Sequence, residues 1–135
     1  MPKNLLVEIV SPDRTAFRGE ATRFRAPGVE GAFEVLRGHA PMLAATEVGQ
    51  TIVTTADGQR VAVATSAGFV EVLDDRVIML AETAEPASDI DLDRARSAEE
   101  RARQRLAEAT AEERAEAQAD LDRARNRLRA SMGTV

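Results

Sequence analysis

The sequence contains no cysteine, tryptophan or tyrosine, and only one histidine and one lysine. Without cysteine there is no disulfide framework, thiol nucleophile or thiolate metal site, as expected of a chain from a reducing compartment such as the cytoplasm. Long apolar runs are also absent, so neither a membrane-spanning helix nor direct insertion into a bilayer is expected. The start, Met1-Pro2-Lys3-Asn4 followed by Leu5–Val10, lacks the basic region, apolar stretch and cleavage site of an export signal. His39 stands in Gly38-His39-Ala40-Pro41, and no spacing supplies the partners that a nucleophilic triad or a metal centre requires. It reads as a turn or docking residue. Gly28-Val29-Glu30-Gly31 lacks the Gly-Lys-Ser/Thr ending of a phosphate-binding loop and does not open a helix. No catalysis, metal or required cofactor is expected.

At 135 residues the chain is one ordinary domain, or a small domain with an appendage. Residues 91–132 carry ten arginines against ten acids, so the net charge of −5 lies wholly on residues 1–90. The usual electrostatic footprint of nucleic-acid binding is therefore lacking, which argues against a nucleic-acid partner. All five prolines, all four phenylalanines and seven of the eight glycines precede residue 87, whereas residues 91–132 contain no Gly, Pro, Val, Ile or Phe. Alanine, arginine, glutamate and leucine, strong helix formers, take over there. The change divides the chain into residues 1–86 and residues 87–135.

The first part alternates β-branched runs with turn residues: Leu5–Val10, Arg14–Phe17, Ala21–Ala26, Phe33–Leu36, Gln50–Thr55, Arg60–Ser66, Phe69–Leu73 and Arg76–Leu80. This spacing predicts an antiparallel β-sandwich. Asp57-Gly58 predicts a type I′ hairpin turn and Asp74-Asp75 a second turn, making neighbouring strands antiparallel. Leu5–Val10 and Val77–Leu80 are apolar on nearly both faces, so both faces are expected to be buried.

The second part predicts an antiparallel two-helix hairpin, with Ser88, Asp89 or Asp91 as the first cap and the polar segment 108–111 as the break. Leu92, Ala95, Ala98, Ala102 and Leu106 line one helix; Ala117, Leu121, Ala124 and Leu128 line the other. Burying a leucine contributes about 1.5–3 kcal/mol and an alanine much less, while ordering each residue costs about 1–2 kcal/mol. Such a hairpin is marginal without outside contacts, and its apolar seam, once lifted, would also permit dimerisation of the isolated chain.

The acids Glu82, Glu85, Asp89, Asp91 and Asp93 cluster where a helix dipole favours negative charge. Farther on, Arg123, Arg125, Arg127 and Arg129 crowd one helix end. Arg123 and Arg127 share a face, where like charges repel by about 0.2–0.5 kcal/mol, so either a common anionic partner or a solvated face accounts for them.

Taken together, Val10-Ser11-Pro12, Gly28-Val29-Glu30-Gly31, the run from Val35 through Gly38-His39-Ala40-Pro41 to Leu43, and Gly68-Phe69-Val70-Glu71-Val72 closely resemble the ε subunit of bacterial F-type ATP synthase. The resemblance covers the whole chain. It implies a non-catalytic subunit of the central stalk, peripheral on the cytoplasmic face of the cell membrane. The sandwich would dock on the γ subunit and on the ring of c subunits, whose rotation is coupled to proton or sodium flow. The hairpin would block ATP hydrolysis when extended toward the catalytic α and β subunits, and permit it when folded down.

The resemblance also implies ATP as a regulatory ligand of the folded hairpin. Ile90-Asp91-Leu92-Asp93-Arg94-Ala95 matches the family's Ile/Leu-Asp-x-x-Arg-Ala motif, and Arg123, Arg127 and Glu85 match its remaining positions. Ile90, Asp91, Arg94, Ala95, Glu85, Arg123 and Arg127 are therefore the implied ATP-binding residues. The arginines would bind phosphate oxygens, and Glu85 and Asp91 would accept hydrogen bonds from adenine or ribose. A purely structural Asp91–Arg94 pair is the plain alternative. Where the family often carries Glu-Leu-Gly and a Pro before Gly-His, this chain has Ala32-Phe33-Glu34 and Arg37. Docking on γ and the c-ring then falls to Glu30, Glu34, Gly38 and His39. A free-standing ATP-sensing module and an enzyme built on His39 are the competing readings.

Overall fold

The computed structural model describes residues 4–133; residues 1–3, which contribute to the export reading, and 134–135 lie outside the described residues. Among the described residues nine strands precede two helices. The strands are β1 (Leu5–Val10), β2 (Thr15–Ala26), β3 (Phe33–Val35), β4 (Met42–Thr46), β5 (Gly49–Thr55), β6 (Arg60–Thr65), β7 (Gly68–Leu73), β8 (Arg76–Ala81) and β9 (Ala84–Pro86). A single 3-10 turn at Ala87–Asp89 leads into α1 (Leu92–Glu108) and α2 (Arg114–Ser131). The strands hydrogen-bond in the order β4-β7-β8-β1-β2-β5-β6-β9, with β3 on β2. This sheet folds over into a β-sandwich, as expected. Its core is the alternating inward set that includes Leu5, Val7, Ile9, Phe24, Val53, Val63, Val70, Val72, Val77 and Met79.

Several details depart from the sequence reading. β1 pairs with β8 in parallel, Val7 opposite Val77 and Ile9 opposite Met79. Turn residues report only on consecutive strands, so this non-consecutive pairing carried no local signal. Thr15–Phe17 and Ala21–Ala26 belong to one strand, because Gly19 between them stays in the ladder opposite Val7, and Arg14 falls just before it. β4 and β9 are strands not anticipated. β1 and β8 bury one face rather than two: Leu6 is 47% and Leu80 56% exposed.

Of the two expected turns, Asp57-Gly58 departs from type I′ geometry and Asp74-Asp75 adopts it. At Asp57-Gly58 only the glycine has positive φ, 89°. Gly58 N–H donates to Thr55 O (2.9 Å) and Thr55 N–H to Gln59 O (2.8 Å), the pattern of a type I turn closed by a glycine bulge. Asp74 and Asp75 instead adopt φ of 51° and 63°, the left-handed pair of a type I′ turn. The surroundings hold Asp75 there, since its carbonyl accepts from Leu6 N–H (2.9 Å) and its carboxylate from Gly38 N–H (2.7 Å).

Asp91 is the residue that caps α1, its carboxylate accepting from Arg94 N–H at 3.0 Å. The break between the helices is a capping box: Thr110 N–H donates to the Glu113 carboxylate (3.0 Å) and Glu113 N–H to the Thr110 hydroxyl (3.3 Å). Hydrogen bonds from the Thr110 backbone and then its side chain hold the Glu113 carboxyl below the usual range, so this cap persists above that lowered value and is lost as pH falls through it. The helices meet through Ala102, Leu121 and Ala124, with Leu106 at the edge. A second small cluster, Ala64, Ile90, Ala95 and Ala130, seats the hairpin on the outer face of the β5–β6 layer.

The sandwich core includes no hairpin residue. A chain lacking residues 88–135 is therefore expected to remain folded and to unfold cooperatively. Loss of its β signature or of a sharp thermal transition in circular dichroism would show that the halves are not separable.

Candidate functional site

The hairpin lies on the sandwich with a cavity of about 330 Å³ between them. Its walls come from both halves: Ser11, Asp13 and Arg14 beside the β1–β2 turn, Thr65 and Ser66 at the end of β6, Glu85 on β9, and Arg123, Asn126 and Arg127 on α2. Arg127 grips Glu85 as a fork, Nε at 2.7 Å from Oε1 and Nη2 at 3.4 Å from Oε2. Arg123 is paired with Asp120 one turn earlier on the same helix. Arg14 pairs with Asp89 at 2.7 Å. Each guanidinium thus has a carboxylate partner that an incoming anion must replace. The repulsion expected between Arg123 and Arg127 is relieved within the chain.

Asn126 holds the two halves together. It is 7% exposed, and its side-chain amide donates to Gly49 O (2.6 Å) and, more weakly, to Thr65 O (3.4 Å). A buried amide is stable only with such partners, so α2 has one favoured seat on β5 and β6.

Of the ATP-binding residues implied by the sequence, Glu85, Arg123 and Arg127 converge on this cavity. Ile90, Asp91, Arg94 and Ala95 do not line it. Ile90 and Ala95 are buried against Ala64 and Ala130. Asp91 is occupied as the cap, and the exposed Arg94 side chain forms no ion pair among the described residues. The Asp91–Arg94 link is therefore a carboxylate-to-backbone cap.

Three of the four docking residues lie near the ends of β4, and the fourth, Glu34, lies on β3 beside β2. Glu30 follows Val29, whose N–H donates to Ala45 O at 3.0 Å near the end of β4, and Gly28 bridges Thr46. Gly38 and His39 precede the start of β4, with Gly38 tied to the Asp74-Asp75 turn and His39 N–H donating to Leu36 O at 3.1 Å. Glu34 on β3 faces Arg23 at 3.5 Å. Between the two ends, the outer face of β4, β7 and β8 is apolar and uncovered, with Leu43 70%, Phe69 56% and Leu80 56% exposed. Ile78 and Glu71 complete this patch. Sequence reasoning placed β8 between two buried layers and so missed it.

Residues 4–87 match the ATP synthase Delta/Epsilon chain β-sandwich domain, and residues 88–132 match the Delta/Epsilon chain long alpha-helix domain. An ATP synthase epsilon chain of Salinibacter ruber is 55% identical over 144 aligned positions, covering 100% of this chain and 97% of the relative. The chain belongs to the ATP synthase Delta/Epsilon chain family. As an epsilon chain it is a non-catalytic subunit. A second epsilon chain, from Nitratidesulfovibrio vulgaris, is 46% identical over 104 positions, covering 77% of each chain. Similarity in fold extends to a chain in the mitochondrial ATP synthase of Euglena gracilis, at a TM-score of 0.82 and 22% identity over 98% of this chain and 83% of that one. No helix among the described residues of this epsilon chain is long and apolar enough to cross a membrane.

Neither Asn126 nor Arg14 was singled out from the sequence. Asn126 stands four residues before Ala130, a stripe beside the leucine seam, and that spacing was the available signal. Arg14 is brought to the cavity by tertiary structure alone. Asn126→Leu removes the donor from two carbonyls, at a cost of about 1–3 kcal/mol for the unpaired groups. It is expected to speed amide exchange across α2 while leaving exchange in the β1–β8 core unchanged. Equal protection of α2 in variant and wild type would show that Asn126 does not hold the hairpin.

Proposed function

We propose that this chain is a central-stalk subunit of a proton- or sodium-translocating F-type ATP synthase, peripheral on the cytoplasmic face of the bacterial membrane, whose hairpin is a nucleotide-gated brake. The full-length identity to an epsilon chain carries the assignment to the stalk. The cavity shared by the two halves carries the gate, because a ligand held between Glu85 and the arginines of α2 stabilises only the docked hairpin. In this reading the docked form permits hydrolysis. Extension toward the α and β subunits, with the small cluster around Ala64 given up, blocks it. Glu30, Gly38 and His39 at the ends of β4, with Glu34 on β3, meet γ and the c-ring, and the apolar face of Leu43, Phe69 and Leu80 supplies the area buried against γ.

ATP titrated calorimetrically into the isolated chain is expected to saturate, with GTP as the control for base recognition. Arg123→Ala and Arg127→Ala should each weaken binding on the order of tenfold, as for loss of a charge-assisted contact. No heat at millimolar ATP would leave a stalk subunit without a nucleotide gate. In an ATP synthase preparation depleted of its own epsilon chain, the full chain is expected to inhibit hydrolysis and the chain lacking residues 88–135 to leave it unchanged. Leu80→Glu should abolish co-purification with γ, since it buries a charge in an apolar contact. Unchanged co-purification would put the γ surface elsewhere, and absence of any γ association by the wild type would favour a free-standing sensor.

A further inference from the structure

The cavity's third cation comes from the sandwich. Arg14 lies beside the β1–β2 turn, lines the same space as Arg123 and Arg127, and pairs across to Asp89 in the 3-10 turn that leads into the hairpin. Both partners of that pair are half exposed, 42% and 49% for the side chains, and such pairs are weakly held and exchange readily with other ions. The three arginines are thus supplied by two halves of the chain, whereas any one half offers at most two.

We infer that Arg14 is a phosphate-binding residue of this site, exchanging Asp89 for the polyphosphate of a bound nucleotide. The inference rests on the reading of the cavity as a nucleotide site and assigns it a contact outside the hairpin. Its chemistry is that of a guanidinium exchanging one carboxylate oxygen, now held through Nη2 at 2.7 Å, for phosphate oxygens. A ligand so held touches the sandwich through Arg14, β9 through Glu85 and α2 through Arg123 and Arg127, and therefore braces the docked hairpin at three points. Arg14 also gives the site a preference for longer phosphate chains, because each added phosphate supplies further charge and oxygens for a third guanidinium to bind.

Two substitutions with opposite expected signs test this in the full chain. Arg14→Gln should weaken ATP binding on the order of tenfold and AMP binding little, because it removes one charge-assisted phosphate contact. Asp89→Asn should strengthen ATP binding by a few-fold, since it frees Arg14 from its competitor, and that gain should vanish in the Arg14→Gln background. If the pair merely braces the fold, both substitutions weaken ATP and AMP binding alike; that result, or unchanged ATP affinity in Arg14→Gln, overturns the inference while the nucleotide site stands. Failure of the wild type to bind ATP at millimolar concentration overturns the site and this contact together.

Discussion

Ala64, Ile90, Ala95 and Ala130, with the amide of Asn126 beside them, form the small junction on which the arrangement of the two halves depends. Three of its four apolar members are alanines, and a methyl-sized group contributes only about 0.8 kcal/mol on burial. The sandwich core beneath is made of much larger side chains and is complete without the hairpin. Docking is thus weak in apolar area yet specific in geometry, because Asn126 satisfies its hydrogen bonds in one seat. The proposed brake requires that combination: a small free-energy gap, and a defined state on at least one side of it.

Around this junction the charges are arranged as replaceable pairs. Glu85–Arg127, Asp89–Arg14 and Asp120–Arg123 bring a carboxylate to each guanidinium around the cavity. The site is therefore closed electrostatically when empty, and an anion gains only the difference between its own contacts and those it displaces. The sandwich is unequal in its two outer faces. The β5–β6 face is covered by the chain's own helices, while the β4–β7–β8 face presents Leu43, Phe69 and Leu80 to solvent. One face is covered from within the chain and the other is left open.

The sequence carried the architecture far better than the contacts. The break in composition near residue 87, the alternating valines of β6 and β7 and the leucine seam of α2 are local patterns, and each announced its element. The β1–β8 pairing is between strands far apart in the sequence, and no turn residue reports it. The Asp57-Gly58 and Asp74-Asp75 turns looked interchangeable in dipeptide chemistry; the deciding contacts, Leu6 and Gly38 on Asp75, come from elsewhere in the fold. Glu85, Arg123 and Arg127 were legible through family resemblance and converge on the cavity. Ile90, Asp91, Arg94 and Ala95 belong to the same motif, but here they build the helix start and its seat.

The parallel union of β1 with β8 sets an order of events during synthesis. β1 gains its second neighbour only when residues 76–81 have followed, so one side of it is unpaired until then. Closing such a loop precedes any reward from the contact, which makes this step slow, whereas the helices downstream close through near neighbours and form quickly once they emerge. The hairpin's docking surface, formed on β5 and β6, is laid down by strands that pair with each other in sequence and need not await that slower closure.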